Sequence, residues 1–141
     1  MIYRDPPSLI LQNFLCLDVG SKKTGIAYNF GYHSIAFPWK VVPTQEVAST
    51  LQGIQKEFKV IAGIPLEYPE GDSYQFIDKF IGVLQHYFPH CDFILWDETS
   101  SSDIVRKAYK HGRKGFSKKF HNNYDAKSAS VILSHFLSCN F

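Results

Sequence analysis

Four carboxylates in this chain stand at positions where side chains do chemistry. Asp18 closes the apolar run NFLCLD (13–18) just before Gly20, Asp97 and Glu98 follow the apolar run CDFILW (91–96), and Asp125 falls in the first turn of an apolar-striped segment near the C-terminus. Carboxylates gathered in one place repel and raise one another's pKa, and a hard divalent cation removes that conflict. Mg²⁺ takes oxygen ligands and keeps several waters, and two such ions about 3.5–4 Å apart suit phosphodiester hydrolysis. Each acid alone also has a purely structural reading. Asp18 can serve the Gly20 turn, Asp97 and Glu98 can favour the start of a following helix, and Asp125 suits the third position after an Asn122 cap. What favours chemistry is that all of them are expected at one end of one sheet.

A basic segment accompanies the acids. The chain carries 15 Lys and Arg against 13 Asp and Glu, a formal charge of +2. Residues 105–127 hold eight of those bases (Arg106, Lys107, Lys110, Arg113, Lys114, Lys118, Lys119, Lys127) and one acid, for a local +7, so the remainder is −5. Such a concentration suits a polyanion, with a solvated helix and loop as the plain alternative. Acids for metal and bases for a phosphate backbone make sense together.

The elements that must position these groups follow from hydrophobic periodicity. Apolar or alternating runs predict strands over 13–18, 24–30, 33–42, 59–64 and 91–96, with Pro38 marking the third as an edge or bulged strand. Thr44 is the expected cap of a helix carrying Val47, Leu51, Ile54 and Phe58. Asp72 and Gln75 have the spacing of a capping box before the stripe Phe76, Ile77, Phe80, Ile81, Leu84 and Phe88. A short helix is expected from Ser100 to His111, and a last one from Tyr124 to Ser138. The order βββαβαβα predicts an α/β domain with a mixed sheet and helices on its faces. If the first and last strands are parallel neighbours, Asp18 and the Asp97–Glu98 pair emerge together at the carboxyl end of the sheet, where open α/β sheets bind ligands.

Composition excludes several classes. A length of 141 residues, 45% hydrophobic and 20% charged, fits one globular domain (13–141) behind a loose lead-in (1–12). No apolar run reaches the ~20 residues of a membrane helix, and no secretory signal opens the chain. Three cysteines without paired spacing predict neither a disulfide framework nor a zinc ribbon, and a cytoplasmic setting is expected. His86, His90 and Cys91 lack a fourth ligand and a common helical register for zinc. Gly20 to Thr24 lacks the spacing of a phosphate-binding loop. Phe116, Phe120 and Tyr124, interleaved with Lys118, Lys119 and His121, fit a packed helix face better than a base-stacking platform.

Four blocks, LCLDVGSKKTGIAY (15–28), VIAGIPLEYPEG (60–71), ILWDETSSS (94–102) and YDAKSASVILSHFL (124–137), resemble, in order, those of the YqgF/RuvX family. Its members are described as pre-16S rRNA nucleases and, earlier, as Holliday junction resolvases. The resemblance implies a ribonuclease H-like fold and a metal-dependent nuclease that uses Mg²⁺ or Mn²⁺ at a two-metal site. The implied substrate is structured RNA, in 5′-end processing of precursor 16S rRNA, or branched DNA, acted on by a monomer or weak homodimer. It assigns the catalytic acids to Asp18, Asp97, Glu98 and Asp125. Asp18, Glu98 and Asp125 are the implied metal ligands, with Asp97 a fourth ligand or a helix-capping group. Lys22, Lys23, Arg106, Lys107, Lys110, Arg113, Lys114, Lys118 and Lys119 would hold the nucleic acid. Two places depart from the family pattern: Thr99 stands where an Arg usually follows the Asp-Glu pair, and Lys127-Ser128-Ala129 stands where Ala-Ala usually follows the final aspartate. Thr offers no planar fork to a phosphate, so a non-catalytic RNA- or ribosome-binding module is the alternative from another class.

Overall fold

The computed structural model describes residues 12–31, 35–98 and 124–140. Five strands, β1 (Asn13–Val19), β2 (Lys23–Phe30), β3 (Phe37–Pro43), β4 (Lys59–Ile64) and β5 (Phe93–Asp97), form one sheet in the order β3-β2-β1-β4-β5. β1, β2 and β3 make an antiparallel meander, whereas β1, β4 and β5 run parallel. Three helices complete the described part: α1 (Val47–Gln52), α2 (Asp72–Tyr87) and α3 (Tyr124–Asn140). This is the mixed α/β architecture of a ribonuclease H-like domain. The helix expected from Ser100 to His111 and the basic run up to Lys119 lie outside the described residues, as do residues 1–11 of the lead-in.

Alternation along the strands divides the core in two. One face presents Leu15, Leu17, Val19, Ile26, Val60, Ala62 and Ile64 to Val47 and Leu51 of α1 and to Ile77, Ile81 and Leu84 of α2. The other presents Phe14, Cys16, Ala27 and Ile61 to Ala129, Ile132, Leu133, Phe136 and Leu137 of α3. Helices therefore cover both faces. β3 is an edge strand with a register shift where Pro38 and Lys40 face Ala27 and Ile26, the irregularity that proline imposes on a ladder it cannot join.

Four expectations are corrected. Thr44 caps no helix: it opens a 3₁₀ turn (Thr44–Glu46) without a side-chain cap, and its hydroxyl bonds to Gly20 instead. The helix behind it ends at Gln52, because Gly53 and Ile54 turn their N–H groups onto the carbonyls three residues back, Thr50 and Leu51. Ile54 and Phe58 still pack on the core, but from the following loop. The capping box at Asp72 does not form either. Gly71 is the N-cap, and the Gln75 side chain donates to the Pro69 carbonyl at 2.8 Å. Finally, β1 and β5 are parallel but not neighbours: β4 lies between them.

Candidate active site

The insertion of β4 matters for the acids, because it places a glycine between them. Asp18 lies opposite Gly25 of β2, and the β1–β4 register that pairs Leu17 with Ala62 brings Gly63 beside it on the other side. Gly63 in turn pairs with Trp96 of β5, two residues before Glu98. The Glu98 N–H continues the ladder onto the Ile64 carbonyl at 3.1 Å, so its side chain follows the strand's alternation beyond the last β5 residue. Asp18 and Glu98 thus stand on the α3 side of the sheet, at the carboxyl ends of its parallel strands. Both are half-buried.

Gly63 permits a close approach there. A Cβ on it would lie 2.7 Å from Ile132 Cδ1, 3.2 Å from Glu98 Cβ and 3.3 Å from Glu98 Oε2. Glu98 and the helix therefore share the space that a larger residue would fill. Cys16, one alternation below Asp18, is fully buried beneath the pair. Burial pushes its thiol well above the ordinary range, and the charges of Asp18 and Glu98 push it the same way. Cys16 itself stays a neutral thiol and forms part of the floor, since the thiolate is the form that ligates or attacks.

The backbone of α3 brings the remaining acid toward the same end. Phe136 packs edge-on against Phe14 near the start of β1, at 5.4 Å between ring centroids, whereas Ile132 reaches Gly63 near the end of β4. The helix therefore runs opposite to the parallel strands. Its first turn, with Asp125, lies about 10 Å beyond Ile132 along the axis at 1.5 Å per residue. Ala129, Ile132 and Phe136 fall on one helical stripe, and the Asp125 side chain lies outside what the structure describes. Asp97, by contrast, pairs with Ile64 and shares the opposite face with Phe93, so alternation separates it from Glu98.

Lys22 and Lys23 are exposed on the turn that follows Asp18. Arg106, Lys107, Lys110, Arg113, Lys114, Lys118 and Lys119 lie outside the described residues. His86 and His90 are exposed, and the Cys91 thiol donates to the Phe58 carbonyl at 3.1 Å, a structural role. Among the described residues no group of three His, Cys, Asp or Glu is gathered for a metal ion. Asp18 and Glu98, which the strands do bring to one face, offer only oxygen donors, and such donors fit a hard divalent cation. Sequence reasoning passed over Cys16 as the floor, although the alternation Phe14, Cys16, Asp18 carries that signal.

The sequence profile of the RuvX family, described as Holliday junction resolvase, matches residues 12–139. The chain belongs to the RuvX family. Membership makes it one of a family of hydrolases acting on nucleic acid phosphodiesters. Relatives from three bacteria all bear the name "Putative pre-16S rRNA nuclease". That of Chlamydia abortus is 33% identical over 135 residues, covering 88% of this chain and 89% of the relative. That of Chlorobium phaeobacteroides is 26% identical over 133 residues, covering 90% and 92%. That of Rubrobacter xylanophilus is 28% identical over 103 residues, covering 70% and 74%. The four blocks quoted above fall within the matched span, and no helix among the described residues is long and apolar enough to cross a membrane.

Proposed function

We propose that this RuvX-family protein is a metal-dependent nuclease that trims the 5′ end of precursor 16S rRNA in the cytoplasm. The observation that carries the reading is the placement of Asp18 and Glu98 on either side of Gly63 at the carboxyl end of the sheet. The names borne by the relatives favour RNA as the substrate.

In this reading Asp18, Glu98 and Asp125 hold Mg²⁺ or Mn²⁺. The chemistry that such ions supply when bound is activation of a water and stabilisation of the leaving oxygen. The chain's own residues do the rest. Two carboxylates on one face present an acceptor-only surface that repels a phosphodiester unless cations intervene, so acids and cofactor act as one unit. Gly63 lets Ile132 and Glu98 sit against the strand, which fixes the distance between helix and sheet. Lys22 and Lys23 hold the substrate backbone beside Asp18, and the basic residues from Arg106 to Lys119 extend that grip. Asp97, on the opposite face, is not among the ligands in this reading.

The test is cleavage of end-labelled precursor 16S leader RNA and of a four-way DNA junction, each with Mg²⁺, with Mn²⁺ and with chelator. Metal-dependent cutting of the RNA by the wild type, lost in Asp18→Asn, is expected. Undiminished turnover in Asp18→Asn refutes the assignment. A second reading, cleavage of branched DNA, is favoured by the description of the matching family. It requires junction cutting and, for symmetric incision, two sites brought together in a dimer. Salt-sensitive RNA retention without cutting of either substrate, together with a melting temperature that metal leaves unmoved, marks a non-catalytic binding module.

A further inference from the structure

The turn between β1 and β2 is tied down more firmly than a hairpin needs, and the ties come from a residue far along the chain. Within the turn, the Gly20 N–H donates to the Lys23 carbonyl at 3.0 Å, and a Cβ on Gly20 would sit 2.6 Å from that oxygen. Glycine is thus required for this closure. Two further bonds arrive from Thr44, which follows β3. Its N–H donates to the Lys22 carbonyl at 2.9 Å, and its hydroxyl donates to the Gly20 carbonyl at 2.6 Å. Thr24 Oγ1 stands 2.9 Å from Thr44 Oγ1. The one proton of Thr44 Oγ1 goes to Gly20, so Thr24 is the donor in that pair. Both threonines are buried.

The tied residues are those next to the site. Gly20 is two residues past Asp18, and Lys22 and Lys23 are the exposed cations that follow it. The edge strand delivers the tie because its last residue, Pro43, pairs with Lys23 and leaves Thr44 beside the turn.

We propose that Thr44 is a positioning residue for substrate binding, holding the Gly20–Lys23 turn so that Lys22 and Lys23 meet the nucleic acid backbone next to Asp18. The inference rests on the nuclease reading, and it assigns the buried Thr24 hydroxyl the task of orienting Thr44. Thr44→Val keeps the shape of the side chain and removes the hydroxyl, which frees the Gly20 carbonyl and half of the turn. Thr44→Ser keeps the bond.

The experiment measures KM and kcat on the leader RNA for both variants, well below their melting temperatures. The salt dependence of RNA binding is measured with each change made in the Asp18→Asn protein, so that no cleavage intervenes. Thr44→Val is expected to raise KM severalfold with kcat little changed. The slope of log Kd against log salt should fall by about 1–2, the loss of one or two phosphate contacts. Thr44→Ser is expected to restore both. In a Lys22→Ala/Lys23→Ala background, Thr44→Val should have no further effect on the slope. A Thr44→Val protein that melts earlier but keeps the wild-type KM and slope overturns the proposal and leaves the nuclease reading standing. If Thr44→Val does not fold, Thr24→Val is measured in its place, and an unchanged slope there is equally fatal. An Asp18→Asn protein with no salt-sensitive RNA binding overturns it as well, whereas loss of cleavage alone in Asp18→Asn speaks only to the nuclease reading.

Discussion

The two faces of the sheet are built from the same strands, residue by alternate residue, yet they end differently. On the face covered by α1 and α2, β1 contributes Leu15, Leu17 and Val19, and β4 contributes Val60, Ala62 and Ile64, aliphatic from end to end. On the face covered by α3, β1 contributes Phe14, Cys16 and then Asp18, while β4 contributes Ile61 and then Gly63. The first face spends its whole length on burial. The second is aromatic at one end, small in the middle and acidic at the other, where packing gives way to chemistry. A period of two lets one strand serve both ends of this arrangement without compromise.

Adjacent residues of β1 provide the sharpest way to break that comparison. Leu17→Ala should cost about 2–5 kcal/mol of stability, the usual range for a leucine emptied from a closed core, while cleavage per folded molecule stays unchanged. Asp18→Asn should do the reverse, removing metal-dependent cleavage while the urea midpoint stays close to wild type. Urea titration and a cleavage assay on both proteins check it. Loss of cleavage in Leu17→Ala under conditions where it is fully folded would show that the faces are not independent.

Gly63 is where the second face meets its helix, so it should couple stability to activity. Gly63→Ala drives a methyl to 2.7 Å from Ile132 Cδ1 and 3.2 Å from Glu98 Cβ. Overpacking of this kind costs about 1–3 kcal/mol, toward the low end here because the Ile132 terminal methyl can rotate away, while Glu98 must give by a few tenths of an ångström. Cleavage should therefore fall further than stability explains. Ile132→Val in the Gly63→Ala protein should recover part of the stability, read as a non-additive double-mutant cycle.

Much of this was legible beforehand, for reasons that particular residues make plain. Strand runs such as VIAGI (60–64) are apolar on both faces because both are covered, and such runs are recognisable without any alignment. The common end of Asp18 and Glu98 followed from parallel crossovers, although the expectation made β1 and β5 neighbours. The intervening β4 did not, since apolar runs carry no label for which neighbour they pair with. Thr44 was misread as a cap because its partners, Gly20 and Thr24, lie 24 and 20 residues away, and local spacing cannot distinguish a tie from a cap. The spacing of Ile54 and Phe58 continued a helix that Gly53 had already ended; both side chains reach the core from a loop, where a helical period is coincidence. Asp97 and Glu98 looked alike in sequence, and only the ladder bond from Glu98 to Ile64 puts them on opposite faces.

At the edge of the second face, Trp96 joins β5 to α3 through two contacts. Its indole N–H donates to His135 Nδ1 at 2.9 Å, and its ring stands edge-on to Phe136 at 5.2 Å. Trp96→Phe keeps the aromatic contact and removes the donor. The expected cost is about 0.5–1.5 kcal/mol, toward the lower end because the bond is exposed. Cleavage should stay close to wild type, since α3 remains anchored on Gly63 and Phe14. A large loss of activity would mean that this bond, rather than the Gly63 contact, sets the position of Glu98.

The smallest expected effect lies on the other face and has the opposite sign. Gly82 sits in the interior of α2, and a Cβ added to it would meet nothing within 4 Å. Glycine there gives no close approach and no special turn, so it only leaves the unfolded chain more freedom than alanine would. Gly82→Ala should raise stability by about 0.5–1 kcal/mol, measured as a higher urea midpoint at unchanged slope. Cleavage should not move, because α2 packs on the face that carries none of the proposed ligands. The same change at the two glycines therefore has opposite signs, Gly63→Ala lowering stability and Gly82→Ala raising it. What separates them is whether a neighbouring helix and a carboxylate already occupy the space the missing methyl leaves.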